Sequence, residues 1–84
     1  MKVRLVYFAW VRERVGKPHE DVELPEGVAT VADLVAWLTT RGEEYAHAFE
    51  SGAVRAAIDR NHVRAEAPIA DAREIAFFPP MTGG

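Results

Sequence analysis

The chain contains no cysteine. That excludes a disulfide framework, a thiolate zinc site and a cysteine nucleophile together. Serine occurs only at Ser51, where Ser51-Gly52 reads as a helix stop, and there is no G-x-S-x-G elbow. Histidine is scarce and scattered at His19, His47 and His62, without H-x-x-x-H spacing and with no carboxylate set beside it, so a metal site is not expected. There is no glycine-rich phosphate loop, no internal repeat, no low-complexity stretch and no interdomain linker. No apolar run approaches the roughly 20 residues needed to span a bilayer. Residues 1–10 alternate charged and apolar at first, which is wrong for a signal peptide. A net charge of −3, from 10 basic and 13 acidic residues, argues against a broad phosphate-binding surface. Expected, then, is a cytoplasmic protein that engages neither nucleic acid nor membrane. With 84 residues it has room for one domain, residues 1–84, and its core is adequate rather than generous.

What is present is a clear alternation of elements. Val3, Leu5 and Tyr7 alternate with Lys2, Arg4, Val6 and Phe8, the period-two pattern of a strand with its odd positions inward. Val11 and Val15, four apart and closed by Gly16, make a helix of one or two turns. His19 to Leu24 alternates again, with Val22 and Leu24 inward, and Pro25-Glu26-Gly27 ends it. Thr30-x-x-Asp33 resembles a capping box, and Val31, Leu34, Val35 and Leu38 then share one helix face. Gly42 stands where a helix closes on a left-handed residue. Tyr45 and Phe49 suggest a second short helix. Val54, Ala56 and Ile58 alternate with Arg55, Ala57 and Asp59 as a third strand, followed by a turn at Arg60-Asn61-His62. The stretch from Val63 to Ile69 carries no clear pattern. Glu74 to Phe78 is a last strand, cut off by Pro79-Pro80.

One amphipathic helix with four or five strands predicts an α+β fold in which the helix covers one face of a mixed sheet. The compact solution is a β-grasp, with the first and last strands side by side in the middle. Parity then puts Val6, Phe8, Ala57, Ala76 and Phe78 on the face away from the helix, an apolar patch of the kind that marks a partner surface, unless residues 43–52 fold over it. The chain ends Met81-Thr82-Gly83-Gly84, expected to be a flexible tail thrown clear of the sheet by the two prolines. Its last two residues carry no side chain, so the terminal carboxylate could enter a narrow channel. No side-chain constellation supplies a nucleophile with a base and an oxyanion site, and the chain alone is not expected to be a catalyst.

The run Glu74-Ile75-Ala76-Phe77-Phe78-Pro79-Pro80-Met81-Thr82-Gly83-Gly84 resembles the C-terminal signature of the small, sulfur-carrier subunits of molybdopterin synthases. Val6 to Glu13 with Gly16, and Ala56-Ala57-Ile58-Asp59, are similar to that family as well, so the resemblance covers essentially the whole chain. Met81 departs from it, since the family commonly has a β-branched residue there. The resemblance implies a ubiquitin-like β-grasp whose Gly84 carboxylate is adenylated, converted to a thiocarboxylate and used to donate sulfur to precursor Z (cyclic pyranopterin monophosphate). The implied partners are the synthase large subunit, in a heterotetramer of two large and two small subunits, and an adenylyltransferase/sulfurtransferase. No cofactor would be bound by this chain; MgATP would be used by the adenylyltransferase. The implied partner-binding residues are Phe8, Arg12, Phe78, Pro79, Pro80, Met81, Thr82 and Gly83, with no metal. A thiamine-type sulfur carrier, a ubiquitin-like modifier joined to proteins through Gly84, and a plain binding module with an inert tail are the competing readings.

Overall fold

A computed structural model describes residues 1–80. Strand β1 (Lys2–Tyr7) leads into helix α1 (Ala9–Val15), strand β2 (His19–Glu23), helices α2 (Val31–Thr39) and α3 (Glu43–Phe49), the hairpin β3 (Arg55–Ile58) and β4 (Asn61–Val63), and strand β5 (Glu74–Phe78). The five strands lie in the order β2-β1-β5-β3-β4. Central β1 and β5 run parallel, and every other pair is antiparallel. This is the α+β β-grasp that the alternation predicts, in the ubiquitin-like form that the resemblance implies.

The local reasons are visible residue by residue. In β1 the odd positions Val3, Leu5 and Tyr7 are buried and the even ones face outward. Helix α1 ends at Gly16, whose φ of 90° lets its N–H reach back to the Arg12 carbonyl at 2.8 Å. The capping box on α2 is complete. Thr30 Oγ1 accepts the Asp33 N–H at 3.1 Å, and Asp33 Oδ2 accepts the N–H groups of Ala29 and Thr30 at 3.0 and 3.1 Å. Those two backbone donors hold the Asp33 carboxyl below its ordinary pKa. Val31, Leu34 and Leu38 are buried beneath α2, whereas Val35 is only half-buried because it borders a groove.

Three local expectations need correction. Gly42 does not close α2 in the left-handed region. Its φ is 168°, it is the N-cap of α3, and its carbonyl accepts the N–H groups of Tyr45 and Ala46. Helix α2 ends at Thr40 in right-handed geometry, because α3 begins too soon for a left-handed exit. The hairpin turn is Asp59-Arg60 rather than Arg60-Asn61-His62. Both residues have positive φ (47° and 73°), as a two-residue hairpin loop requires, and Asn61 and His62 already belong to β4. The Asp59 carboxylate accepts the N–H groups of Arg73 and Glu74 at 3.1 and 2.9 Å, which ties this turn to the start of β5. The featureless stretch after Val63 is ordered by α2. The Ala65 and Ala67 carbonyls accept the otherwise unpaired N–H groups of Ala32 and Val31, and Ile69 is buried behind them.

The core gathers where β1 and β5 meet the helices. Phe77 stacks on Tyr7 at 6.1 Å between ring centres and meets Phe49 edge-on at 5.1 Å. Helix α3 packs on α1 and α2, on the same side of the sheet as they are, so it does not fold over the outer face. Beside it sits a polar knot. Glu20, paired with Leu5 across β1–β2, points inward, and its Oε2 accepts the hydroxyls of Tyr7 (2.7 Å) and Tyr45 (2.6 Å) while Oε1 accepts Arg41 Nη1 (3.1 Å). Burial by itself would raise the Glu20 carboxyl. The hydrogen bonds from Tyr45, Tyr7 and Arg41, with the charge of Arg41, outweigh it and hold the group below the ordinary carboxylate range. Burial and the facing carboxylate push both tyrosines up.

A depressed carboxyl stabilises the fold above its unfolded pKa, and that contribution is lost as pH falls through the lower folded value. Melting temperature should therefore fall as pH is lowered from about 4.5 toward the folded pKa. Glu20→Gln should flatten that dependence. Glu20→Ala strands two tyrosine hydroxyls and is expected to cost about 2–4 kcal/mol at neutral pH. An unchanged acid limb in the Gln variant would contradict the assignment.

Candidate docking face and chain terminus

The sheet has helices on one side only, and register decides what the other side carries. Val6 pairs with Ala76, Ala76 with Ala57 and Ala57 with His62, which sets one apolar row across four strands. His19 ends that row on β2, opposite Val6. The next row toward the end of the sheet holds Phe8, Phe78 and Arg55: Arg55 pairs with Phe78, and the Phe8 N–H donates to the Phe77 carbonyl at 3.0 Å. Phe8 is thus drawn alongside Phe78 as a continuation of β1.

Phe8 is the most exposed aromatic among the described residues, at 49%. It is also the N-cap of α1, with an extended φ of −122° and no side-chain cap, and the next residue, Ala9, turns the chain with φ 52°. A left-handed alanine is strained where glycine would not be. The turn places an aromatic in water at the mouth of the outer face. Arg12 follows one helical turn later and is exposed on α1.

The outer patch is partly as expected. Val6, Ala76 and Phe78 are half-buried rather than fully open, and Ala57 is buried at 5% exposure despite facing outward. Ala57 is too small to rise above the flanking Ala76 and His62 rows, so it forms floor, not surface. Phe78 is screened by His62, whose ring centre is 5.1 Å away. His62 and Arg55 are the two neighbours that sequence reasoning missed. Reading Asp59-Arg60 as the turn would have placed His62 opposite Ala57 and revealed them.

Strand β5 stops at Phe78, and Pro79 and Pro80, both half-buried, leave the sheet at the Phe8 end. The aromatic pair and the chain's exit therefore occupy the same corner. Met81, Thr82, Gly83 and Gly84, with the expectation of a flexible tail, lie outside the described residues. Among the described residues no group of three His, Asp or Glu side chains could hold a metal ion, and no helix is long and apolar enough to cross a membrane.

A five-stranded β-grasp sheet with helices on one face only, and with aromatics beside the exit of its C-terminal segment, places the chain in the ubiquitin-like fold class. The chain belongs to the ThiS family, whose model matches residues 5–84. It is 35% identical over 82 residues to the molybdopterin synthase sulfur carrier subunit of Escherichia coli K12, covering 98% of this chain and 99% of that one. It is 33% identical over 82 residues, with the same coverage, to the protein of that description from Haemophilus influenzae. Among solved structures it is similar to a Pyrococcus furiosus protein assigned as molybdopterin converting factor, subunit 1, with a TM-score of 0.75, 30% identity, and 96% and 99% of the two chains covered.

Proposed function

We propose that this chain is the sulfur-carrier subunit of a cytoplasmic molybdopterin synthase. The observation that carries the reading is likeness to two such subunits along almost the whole chain, with the match reaching 98% of its length.

In this reading Gly84 contributes only its carboxylate. A carboxylate resists nucleophiles because its charge and resonance oppose attack. An adenylyltransferase using MgATP joins a carboxylate oxygen to the α-phosphorus and releases pyrophosphate, which gives the carbonyl a good leaving group. A sulfur nucleophile then displaces AMP and leaves the thiocarboxylate. The large subunit holds precursor Z. The terminal sulfur attacks a side-chain carbon of it and displaces an oxygen substituent, whose carbon–oxygen bond breaks. Water then cleaves the acyl–sulfur bond, leaving the sulfur on the pterin as a thiol and restoring the Gly84 carboxylate. Two loaded chains in succession supply both sulfurs of the dithiolene. The heterotetramer of two large and two small subunits fits that need.

The chain's own described residues bind. Phe8 and Phe78 supply apolar contact, Arg12 and Arg55 bound it with charge, and Pro79-Pro80 stiffens the approach so that less chain must be immobilised on entry into a partner. Because the patch adjoins the exit, the large subunit and the adenylyltransferase should compete for it. Phe8→Ala and Phe78→Ala are each expected to weaken both complexes by about tenfold or more. Phe8→Ala should leave melting nearly unchanged, and Phe78→Ala should cost on the order of 1 kcal/mol, as a half-buried ring implies. A stable ternary complex on one copy of the chain would overturn the shared face. The function itself is tested by intact mass after incubation with the adenylyltransferase, MgATP and a sulfur source. Replacement of one C-terminal oxygen by sulfur is expected. Conjugation to protein lysines in place of that product would instead favour the modifier reading.

A further inference from the structure

The outer face of the sheet is polarised along its strands. Far from the chain's exit, register aligns Lys2 with Glu23 and sets Arg4 between Asp21 and Glu74, so every outward carboxylate of the strands lies in that half. Charge there is largely matched: Arg4 pairs with Asp21 at 3.4 Å and the N-terminal amine with Glu23 at 2.8 Å. Toward the exit the outward positions are the row from His19 to His62 and then Phe8, Phe78 and Arg55. Carried one step past the Ala56–Val63 pair, the β3–β4 register sets Arg64 opposite Arg55. This half presents two arginines and two histidines, and its strands add no outward carboxylate.

Two like charges opposed across a strand pair repel one another. Arg55 and Arg64 are both exposed, and among the described residues neither has an ion-pair partner. The Asp59 carboxylate is at the other end of the hairpin and is occupied by the Arg73 and Glu74 N–H groups. Glu66, two residues beyond Arg64, forms no ion pair with it. The free chain thus bears an unrelieved repulsion at this one place, although its net charge is −3. The two arginines, His62 and Phe78 together border a cleft of about 380 Å³, which opens directly from the corner that holds Phe8 and the chain's exit.

We propose that the synthase large subunit presents carboxylate side chains that enter this cleft and pair with Arg55 and Arg64, so that charge decides which large subunit the chain accepts. This inference rests on the sulfur-carrier reading and gives the chemistry of its docking partner. Each guanidinium offers a planar fork that matches a carboxylate, and docking relieves the repulsion between the two. A surface with cations at that place would be rejected. Nucleic acid is a poorer occupant, because Asp21, Glu23 and Glu74 on the same face oppose a long phosphate backbone.

The test measures affinity and association rate between this chain and the large subunit of the same organism. The double variant Arg55→Gln/Arg64→Gln should bind about tenfold more weakly, and Arg55→Glu/Arg64→Glu about a hundredfold, mostly through slower association. Both should melt no lower than the parent, since the repelling pair is gone. Between about 0.05 and 0.5 M salt the parent's association should slow steeply and the Gln variant's much less. Lys2→Glu, which also makes the chain more negative but at the far end of the same face, should bind like the parent. Arg64→Lys should give, with a zero-length carbodiimide, a cross-link to an Asp or Glu of the large subunit that the parent chain does not form. Parent-like binding by the Gln variant, an equal loss in Lys2→Glu, or no such cross-link would each overturn the proposal. So would Arg55 and Arg64 side-chain NMR signals that change when the Gly84 carboxylate is amidated, which would assign the cleft to the chain's own terminus. Saturable shifts of those signals with a short DNA duplex would overturn it in favour of phosphate. A parent chain that fails to bind the large subunit at all would instead overturn the sulfur-carrier reading, and this inference with it.

Discussion

Adding one residue after Gly84 is expected to abolish sulfur loading and, with it, synthesis of the pterin dithiolene in a reconstituted system. The carboxylate that must reach the α-phosphorus would be displaced by a residue length, about 3.3–3.6 Å, while in-line attack tolerates far less. The added residue would bring a carboxylate of its own, but with a side chain behind it in place of Gly84 and with the docking corner one residue too far away. The melting temperature is expected not to move, because among the described residues the buried set ends at Phe77. Gly84→Ala and Gly83→Ala should lie between the extended and parent chains, since each adds only a methyl group and narrows the backbone's freedom. Intact mass reads the loading step directly and separates it from later failure in the large subunit. Full activity from the extended chain would end the carrier reading.

Phe77→Ala is expected to be the most damaging single truncation for the fold, at about 3–5 kcal/mol of a total on the order of 5–15 kcal/mol. Phe77 is 1% exposed and sits at the centre of the parallel β1–β5 pair, where its ring touches Tyr7 on one side and Phe49 on the other. Its removal leaves a void between the sheet and α3 and undoes both aromatic contacts. It also loosens the strand whose carbonyl holds Phe8 in place. Thermal or denaturant unfolding measures the loss. A Phe77→Ala chain that melts like the parent would show that β5 does not pack as described. Partner binding should fall in parallel with stability for this variant, in contrast to Phe8→Ala, where it should fall alone.

The elements that were legible in the sequence are those whose cause is local. A strand with one covered face must alternate, so β1 and β5 could be read directly, and their inward residues are the buried ones. The capping box of α2 lies within four residues and its geometry is as the letters imply. The apolar face opposite the helices followed from parity alone, but His62 and Arg55 on it did not, since they needed the true position of the β3–β4 turn. The aromatic corner was half legible. Phe8 and Phe78 were placed on the right face, but the depth of the patch was not, because burial depends on neighbours from strands that are distant in sequence. Ala57 is covered for that reason, and Phe78 is screened by His62.

What only the tertiary structure decided has a common physical origin: groups that must be satisfied across the fold rather than along the chain. Glu20 looks like one more surface acid on an edge strand until Tyr7, Tyr45 and Arg41 arrive from three other segments to bind it. The stretch after Val63 has no periodicity because its order comes from the unpaired N–H groups of α2, which take its carbonyls. The groove beside Val35 exists because one helix is narrower than five strands, a mismatch no local pattern records. The sequence by itself determined which residues of the strands face inward and that the chain is built around a sheet covered on one face, since side-chain period is a local property. Where its charges are neutralised, how deep its apolar face lies and what it leaves uncovered were decided by packing, since those depend on distances between segments that meet only in the folded protein.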